Sequence, residues 1–306
     1  MQCKNIIFGA LIFTIVSCNF ESEMKENIQV QGHRGDRGNF PENSIPAFLS
    51  AVEKGVDVLE LDVVISKDKK VVVSHEPFMA SEYMLMPNGN RISKNEEKSF
   101  NFYHMSYDSI RKFDAGSGEN KRFVNQKKIK TYKPLLSEVF ERVENYIVAQ
   151  ELDPVSYNIE IKSGFGNYEI FQPLPEEFVE LLMKVVQNHD MEDKIVVQSF
   201  DPTPLTILRK KYPAIPLAFL VEKGTPEENL QKLNFQPEIY SPYFRLLTDR
   251  ESVCEIQKKG MQVIPWTVNS KKEINRMIGF EVDGIISDYP ERVISLLKQS
   301  KRIQEL

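Results

Sequence analysis

The sequence predicts an α/β protein, a (β/α)8 TIM barrel with a hairpin arm and a small insertion after the arm. From Ile28 onward, short β-branched runs alternate with helical stretches at the spacing of βα units, which is typical of a parallel sheet. The alternation yields eight strand candidates, the number that closes such a barrel. The 306 residues are 41% apolar and 27% charged, an ordinary globular composition.

The first 17 residues are predicted to be a signal peptide of the lipoprotein type. Lys4 precedes an apolar run from Ile6 to Val16 that is too short to span a bilayer. The end of this run, Ile15-Val16-Ser17-Cys18, resembles the bacterial lipobox, in which the cysteine receives diacylglycerol. The alternative is an uncleaved anchor helix. We therefore expect an exported bacterial lipoprotein, attached through Cys18 to a membrane on the periplasmic side or at the cell surface.

The three cysteines leave no intramolecular disulfide in the mature form. Cys3 leaves with the signal peptide and Cys18 would carry lipid, so only Cys254 remains as a thiol. Residues 18–27 would then serve as a short tether, because they have little apolar content with which to fold. The barrel is expected to span residues 28–300.

Eight strands and eight helices are predicted in alternation. The strands are Gln29–Gly32, Val56–Val64, Tyr157–Ile161, Ile195–Ser199, Pro216–Leu220, Glu238–Ser241, Gln262–Trp266 and Gly284–Ser287. The helices are Ser44–Lys54, Leu136–Tyr146, Pro175–His189, Pro202–Lys211, Thr225–Leu233, Asp249–Lys259, Lys271–Ile278 and Pro290–Lys298. Several helices begin with Pro or with a Ser, Thr or Asp cap, and Gly55 and Gly260 follow two of them, as expected at helix ends.

One run breaks the alternation, since Lys70–Ser74 follows Ile65 across a turn with no room for a crossover helix. It should return antiparallel as a hairpin arm. The stretch after it, about 78–133, is predicted to be an insertion because it is irregular and rich in Asn, Gly and Ser. Positions 82–133 contain eleven Lys or Arg and six Asp or Glu, a net +5 in a chain of net −5. This charge would attract an anionic substrate, or it is the accidental balance of a solvated loop.

Two carboxylates on the second strand are the first sign of a functional site. Glu60 and Asp62 share one face of the strand, because side chains on a strand alternate with period two. The segments before and after this strand end in His33 and His75. The hairpin arm would bring His75 close to both carboxylates, at the C-terminal face where βα barrels carry their chemistry.

The next barrel strand adds a third carboxylate, Glu160, with Lys162 on the same face. Three carboxylates with no cysteine and few histidines favour one hard divalent cation, Ca²⁺ or Mg²⁺, over zinc. Lys162 beside such a cation is explained if an anion such as a phosphate lies between them. The chain contains no Gly-rich nucleotide loop, zinc spacing or G-x-S-x-G motif.

Several motifs occur in a fixed order from about Val30 to Pro290. The early ones are Gly32-His33-Arg34-Gly35, Pro41-Glu42-Asn43-Ser44, Glu60-Leu61-Asp62-Val63 and Ser74-His75. Phe113-Asp114-Ala115-Gly116 in the insertion, Pro134-Leu135-Leu136-Ser137-Glu138-Val139 after it and Asn158-Ile159-Glu160-Ile161-Lys162 come next. The late ones are Gln198-Ser199-Phe200, Trp266-Thr267-Val268-Asn269 and Asp283-Gly284-Ile285-Ile286-Ser287-Asp288-Tyr289-Pro290. Together they resemble the signatures of the glycerophosphodiester phosphodiesterase family, which belongs to the same superfamily as the phosphatidylinositol-specific phospholipases C.

The resemblance implies a role for each matching residue. His33 and His75 would be the general acid and base, with Glu60, Asp62 and Glu160 as metal ligands. The remaining implied roles are phosphate binding by Arg34 and Lys162, pocket lining by Gln198 and Trp266, and ordering of the first loop by Glu42 and Asn43. Glu76 stands where the family commonly has Asp, and Ser44 where Thr is frequent.

The expected function is metal-dependent hydrolysis of glycerophosphodiesters to glycerol 3-phosphate and an alcohol. We assign His33 as base and His75 as acid, although exchanged roles stay open, as does the choice between water and the glycerol 2-hydroxyl as nucleophile. The alternatives are a phospholipase D-like enzyme acting on lysophospholipids or another phosphodiester, and a non-catalytic binding lipoprotein. The expected partners are a small-molecule substrate and a membrane, with no nucleic acid and no protein partner inferred.

Overall fold

The computed structural model describes residues 28–304, so the predicted signal peptide, tether and Cys18 lie outside the described residues. Within this range, nine strands form one sheet. They are β1 (Gln29–Gly32), β2 (Val58–Ile65), β3 (Val71–Val73), β4 (Ser156–Ile161), β5 (Ile195–Ser199), β6 (Leu217–Val221), β7 (Ile239–Pro242), β8 (Gln262–Val263) and β9 (Gly284–Ser287). Eight of them run parallel in the order β8-β7-β6-β5-β4-β2-β1-β9.

The two ends of this order meet, so the sheet closes into a barrel. The backbone N–H of Asp283 donates to the carbonyl of Val263 at 2.9 Å, and that of Ile286 donates to the carbonyl of Pro265 at 3.0 Å. These bonds join β9 to the segment that begins with β8. The predicted (β/α)8 barrel is confirmed.

The helices that alternate with the strands bury one face each against the barrel, and one further short helix, Tyr107–Ile110, packs in the insertion. The helices are α1 (Ile45–Glu53), α2 (Tyr107–Ile110), α3 (Leu136–Gln150), α4 (Pro175–Asn188), α5 (Pro202–Lys211), α6 (Pro226–Leu230), α7 (Arg250–Lys258), α8 (Lys271–Gly279) and α9 (Pro290–Gln304). Five begin at side chains that accept a backbone N–H of the first turn: Ser44, Asp201, Thr225, Asp249 and Ser270. None of the helices within residues 28–304 combines the length and apolarity needed to cross a membrane.

The last part of the barrel is less regular than predicted. The sequence predicts a strand from Gln262 to Trp266, but β8 ends at Val263. Pro265 has no N–H to donate, which interrupts the ladder. Two isolated backbone hydrogen bonds to β7 continue after the end of β8. Ile264 N–H donates to the Tyr240 carbonyl and Trp266 N–H donates to the Pro242 carbonyl, both at 3.1 Å.

The hairpin arm lies where the sequence predicts it. Strand β3 pairs antiparallel with the end of β2, with Val64 opposite Val72. The insertion after β3 has a small core of its own, which packs on these two valines and includes Met79, Phe102 and Ile110. The insertion is therefore folded onto the outside of the arm rather than an irregular loop.

The interior of the barrel has a polar half and an apolar half. On the polar side, the Asn158 amide donates to Gln31 at 2.8 Å and to Gln198 at 3.0 Å, and Gln198 donates to Glu60 at 2.9 Å. The opposite side carries buried apolar residues from β6 to β9: Ala218, Ile239, Ile264 and Ile286. The polar half thus supports Glu60, one of the predicted metal ligands.

Candidate active site

Three buried carboxylates lie together on β2 and β4. One oxygen from each of Glu60, Asp62 and Glu160 lies within 4.8 Å of the other two. The strand register explains this cluster, since Asp62 is directly opposite Glu160 and Glu60 is two residues earlier on the same face. Carboxylates at this separation repel one another unless a proton or a cation lies between them.

The electrostatics of the acidic cluster fit a cation. Burial and the charges of Asp62 and Glu160 raise the pKa of Glu60 well above its ordinary value. Burial also raises the pKa of Glu160, although Lys162 opposes the rise. Burial alone favours neutral Asp62, but Arg34 and the other cations around it hold its pKa well below the usual range. Asp62 Oδ1 is buried without a hydrogen bond, and such an oxygen beside two more carboxylates suits a hard divalent cation.

The loop after β1 folds back over the acidic cluster through Arg34. Arg34 has a φ of +51°, and its backbone N–H donates to Glu60 Oε2 at 2.8 Å. Its Nη1 donates to Glu42 Oε1 at 2.7 Å, and its Nε lies 3.3 Å from Asp62 Oδ2. The left-handed backbone, which is uncommon outside glycine, directs both the N–H and the side chain of Arg34 toward carboxylates.

The second half of the same loop holds Arg34 in place. Glu42 also accepts from Arg37 Nε at 2.5 Å, and its own carbonyl accepts from the buried Lys133 Nζ at 3.2 Å. Although burial opposes ionisation, Arg34, Arg37 and Lys133 keep the pKa of Glu42 well below its ordinary value. Asn43 donates to Asp62 Oδ2 at 2.8 Å. Glu42 and Asn43 therefore order this loop against both cations and carboxylates.

Lys162 follows β4 and contacts the acidic cluster directly. Its Nζ lies 2.7 Å from Glu160 Oε1 and 3.8 Å from Asp62 Oδ1. Although burial opposes the charge, these two carboxylates raise the pKa of Lys162. Lys162 thus pairs with Glu160 itself, and the anion between Lys162 and a cation stays a prediction.

His33 is held from behind by a carboxylate that follows β9. Its Nδ1 lies 2.6 Å from Asp288 Oδ1, and its Nε2 lies 4.0 Å from Glu60 Oε2. Burial lowers the pKa of His33 to about 4, against the opposing effect of Asp288. Burial also opposes ionisation of Asp288, but His33 and Arg37 keep its pKa well below the ordinary value. At neutral pH the ring is therefore neutral, with Nδ1–H donating to Asp288 and Nε2 free to accept a proton.

His75 is brought to the same site by the hairpin arm. The N–H of Ser74 donates to the carbonyl of Asp62 at 3.0 Å, which places His75 at the level of the acidic cluster. His75 Nδ1 lies 2.8 Å from Glu76 Oε1, and the Tyr83 hydroxyl donates to Glu76 Oε2 at 3.2 Å. The His75 bond lowers the pKa of Glu76 despite burial, so Glu76 is a carboxylate that orients the ring.

One cavity of about 270 Å³ connects these groups at the C-terminal end of the barrel. Its wall includes eight of the nine predicted site residues: His33, Arg34, Glu60, His75, Glu160, Lys162, Gln198 and Trp266. The aromatic part of the wall is Trp266, whose Nε1 donates to the Ser241 carbonyl at 2.9 Å, and Phe200, which meets Trp266 edge to face at 5.2 Å.

Comparison with known proteins assigns the chain to a family. The model of the glycerophosphoryl diester phosphodiesterase family matches residues 33–292, which is most of the chain. The chain belongs to this family. The resemblance suggested by the motifs is confirmed.

Individual family members cover nearly the same length. A glycerophosphodiester phosphodiesterase from Caldanaerobacter subterraneus is 32% identical over 273 residues, which is 88% of this chain and 98% of the relative. One from Bacillus altitudinis is 29% identical over 89% of this chain and 99% of the relative. A solved structure from Silicibacter pomeroyi that carries the family name superposes with a TM-score of 0.79 at 28% identity, covering 89% and 94% of the two chains.

Within the family fold, two predicted residues have surroundings that the motifs did not indicate. Gln198 lines the cavity, but its amide also donates to Glu60, so it orients a carboxylate. Asp62 is absent from the cavity wall and lies buried beside it, held by Asn43. Cys18, the predicted lipidation site, lies outside the described residues.

The sequence did not point to several residues that complete the site. Asp288 belongs to a family motif but carried no predicted role, and Arg37 and Arg122 of the cavity wall were not singled out. The position of Asp288 just after a predicted barrel strand was an available signal, because such residues lie at the C-terminal face. Arg122 comes from the insertion, and only the fold shows that this segment reaches the cavity.

Proposed function

We propose that this protein hydrolyses glycerophosphodiesters to glycerol 3-phosphate and an alcohol, using one divalent cation, Ca²⁺ or Mg²⁺. The observation that carries the proposal is the single cavity in which two carboxylate-held imidazoles accompany an acidic cluster. Hydrolysis of a phosphodiester needs charge neutralisation, a base and an acid, and this cavity contains a group for each requirement.

Glu60, Asp62 and Glu160 would hold the cation. When bound, it would neutralise charge on the non-bridging phosphate oxygens. The hydrogen bonds from Gln198 and the Arg34 backbone to Glu60, and from Asn43 to Asp62, orient these ligands. The buried Asp62 oxygen without a hydrogen bond supports this assignment.

His33 would act as the general base. Because Asp288 accepts from Nδ1, the unprotonated Nε2 is the atom available to take a proton from the nucleophile, which is water or the glycerol 2-hydroxyl. His75 would act as the acid toward the leaving alkoxide, since the adjacent Glu76 carboxylate balances the charge of the ring when it holds a proton. Asp288 and Glu76 would therefore act as positioning residues.

Arg34 and Lys162 both line the cavity and would bind the phosphate. Both already contact carboxylates, which keeps their charge in place before substrate arrives. Gln198 and Trp266 would complete the pocket.

A lysophospholipid is a second candidate substrate. The observation that favours it is the exposure of Phe200, which lines the cavity and keeps 38% of its surface in solvent. An apolar side chain at the mouth offers contact to an acyl chain that a water-soluble head group does not need. We also propose, from the lipobox-like sequence alone, that Cys18 carries lipid and anchors an exported protein at a membrane.

The test measures release of glycerol 3-phosphate from glycerophosphocholine, and release of choline from the competing substrate lysophosphatidylcholine, in Ca²⁺, in Mg²⁺ and in chelator. We expect turnover of glycerophosphocholine that the chelator abolishes. His33→Ala and His75→Ala should each lower kcat at least ~10²-fold, the usual contribution of a general acid or base. His189→Ala, on the outside of the barrel next to Glu141, is the matched control and should keep the full rate.

Each part of the proposal has its own contrary result. Absence of both glycerol 3-phosphate from glycerophosphocholine and choline from lysophosphatidylcholine would exclude the phosphodiesterase activity. Full activity in chelator would exclude the cation, and full activity of either cavity histidine variant would exclude its acid or base role.

A further inference from the structure

The exposed large apolar side chains are concentrated at one end of the barrel. Among residues 28–300 there are six: Val124 at 77% exposure, Val148 at 78%, Phe165 at 90%, Ile170 at 53%, Leu174 at 50% and Phe200 at 38%. Isolated exposed apolar residues are ordinary on a soluble protein, but a group on one face marks an interaction surface. The position of each side chain on the fold is therefore informative.

Five of the six belong to the end that carries the active site. Phe165, Ile170 and Leu174 lie in the loop between β4 and α4, and Phe200 follows β5, so all four are at the C-terminal ends of barrel strands. Val124 lies close by in the insertion, where the neighbouring side chain of residue 126 bonds to two carbonyls of the loop after β1. We call these five side chains the apolar rim.

The sixth residue, Val148, is at the other end of the molecule. It lies in the last turn of α3, which leads back to the N-terminal end of β4. Val148 and Phe165 thus have comparable exposure on opposite faces of the barrel. Val148 is therefore a control residue: a substitution there removes an exposed apolar side chain without changing the apolar rim.

The loop that carries Phe165 is held in a defined shape. The hydroxyls of Ser163 and Tyr168 both donate to Asp201 Oδ2, at 2.7 and 2.5 Å. Gln172 donates to the Gly164 carbonyl at 3.2 Å, and the carbonyl of Ile170 accepts from Asn101 of the insertion at 2.6 Å. These bonds fix the backbone on both sides of Phe165 while its ring stays in solvent.

Basic residues surround the apolar rim on the insertion side. The insertion has a net charge of +5 between positions 82 and 133. Exposed cations flank Val124 closely: Lys121, Arg122, Lys127, Lys128 and Lys130. Apolar side chains that project singly from a face with clustered cations are typical of proteins that bind anionic membrane surfaces.

We propose that the active-site end of the barrel docks on an anionic phospholipid bilayer, with the apolar rim entering the interface and the insertion cations contacting head groups. The rim comes from three separate segments at the end of the barrel where the cavity lies, and Phe200 lines the cavity itself, so a folded protein partner that covered the whole rim would block the cavity. A fluid bilayer would instead present phospholipid-derived substrate there. This last argument rests on the proposed function, whereas the surface features do not.

The test measures partition of the chain from Cys18 onward onto vesicles in flotation, with Cys18→Ser in every sample, so that neither the apolar signal segment nor an attached lipid contributes. The vesicles are phosphatidylcholine with about one-third phosphatidylglycerol, and pure phosphatidylcholine for comparison. We expect Phe165→Ser to lower partition about tenfold, the loss expected for one inserted phenyl ring. Ile170→Ser should also weaken it, Val148→Ser should leave it unchanged, and neutral vesicles should bind at least about tenfold less.

Equal partition of Phe165→Ser, Ile170→Ser and the parent would overturn the proposal, as would an equal loss in Val148→Ser or equal binding to neutral vesicles. Phe165 lies outside the cavity wall, so Phe165→Ser should hydrolyse water-soluble glycerophosphocholine at the parent rate. That assay also shows that the variant is folded. Flotation needs no turnover, so absence of activity in all samples would refute the proposed function and leave the docking result standing.

Discussion

The neighbours of Asp288 keep its carboxylate ionised. It accepts from His33, and its second oxygen accepts from Asn269 at 2.7 Å, while Arg37 lies 3.6 Å away. A carboxylate with these three neighbours stays ionised, and it selects the ring tautomer that leaves His33 Nε2 unprotonated. The chemical behaviour of His33 is therefore set by a residue 255 positions away in the chain.

The first prediction concerns this pair. Asp288→Asn should lower kcat about 10²-fold with little change in KM, because an amide can donate to Nδ1 and so favour the unreactive tautomer. The measurement is steady-state hydrolysis of glycerophosphocholine, with the exposed Asp193→Asn as matched control. A purely structural role for Asp288 would appear instead as a lower melting temperature with kcat preserved in the folded fraction.

The same pair predicts the pH dependence. Since burial lowers the pKa of His33 to about 4, the base form persists as pH falls from 7 and is lost only near 4. The acidic limb of kcat/KM in the parent protein should therefore lie below pH 6.5, the ordinary value for imidazole. A limb at 6.5 or above would show that His33 is not the base.

Among the structural elements, the loop between β1 and α1 packs closely enough on α1 to require glycine at one position. Gly35 has a φ of +83°, and a Cβ there would lie 2.7 Å from the Ala47 carbonyl carbon and 2.8 Å from its oxygen. The loop must approach α1 this closely because the Asp36 N–H donates to the same Ala47 carbonyl at 3.0 Å. The position of Arg34 over the carboxylates depends on this contact.

The second prediction separates close packing from backbone strain. Gly55→Ala should destabilise by about 1–2 kcal/mol, because Gly55 has a φ of +81° but nothing within 4 Å of the added methyl group. Gly35→Ala should cost a further ~1–3 kcal/mol for overpacking against backbone. Denaturant unfolding of both variants checks this order, and equal losses would show that the close approach to α1 is unimportant.

The elements also show where sequence patterns are informative. Strands such as β5 and β9 were predicted with the residues that they have, because β-branched runs between turn residues leave few alternatives. The end of β8 was predicted wrongly, because a proline in the middle of an apolar run removes a hydrogen-bond donor without changing the apolar pattern. The insertion core was also missed, since its apolar residues are spread among Asn, Gly and Ser and become adjacent only on the arm.

For the molecule as a whole, the acidic cluster predicts a link between cation binding and stability. A cation that binds only the folded state at about 100 times its Kd stabilises by ~2.7 kcal/mol. For a domain of this size that corresponds to a Tm rise of roughly 5–10 °C. Thermal melts in Ca²⁺, Mg²⁺ and chelator test this and also identify the preferred ion.

Glu160→Gln is the accompanying variant. It keeps the size of the side chain and removes one ligand charge, so the rise with cation should shrink, while the protein without cation should lose less stability than a core variant would. Identical melting temperatures in all three solutions would argue against a cation site at Glu60, Asp62 and Glu160.

The sequence predicted the site best where its residues are close together in the chain. Glu60 and Asp62 share a face through strand geometry alone, and the ordered motifs assigned the family. The prediction was weakest for contacts between distant segments, such as Arg122 entering the cavity wall from the insertion. Such contacts depend on how the insertion packs on β2 and β3, and this packing cannot be predicted from the pattern of apolar and polar residues.

The two halves of the barrel interior have a consequence for how such an enzyme diversifies. The groups proposed for the phosphate chemistry lie on or after β9, β1, β2, β3 and β4, and Gln198 on β5 bonds to them. Four other wall residues belong to later strands: Phe200 follows β5, Leu220 lies on β6, Glu222 follows β6 and Trp266 follows β8. Mutations that accumulate in this second set alter the space next to the leaving alcohol and leave the acidic cluster untouched. Descendants of one ancestral barrel can thus inherit the reaction while drifting in the head group they accept.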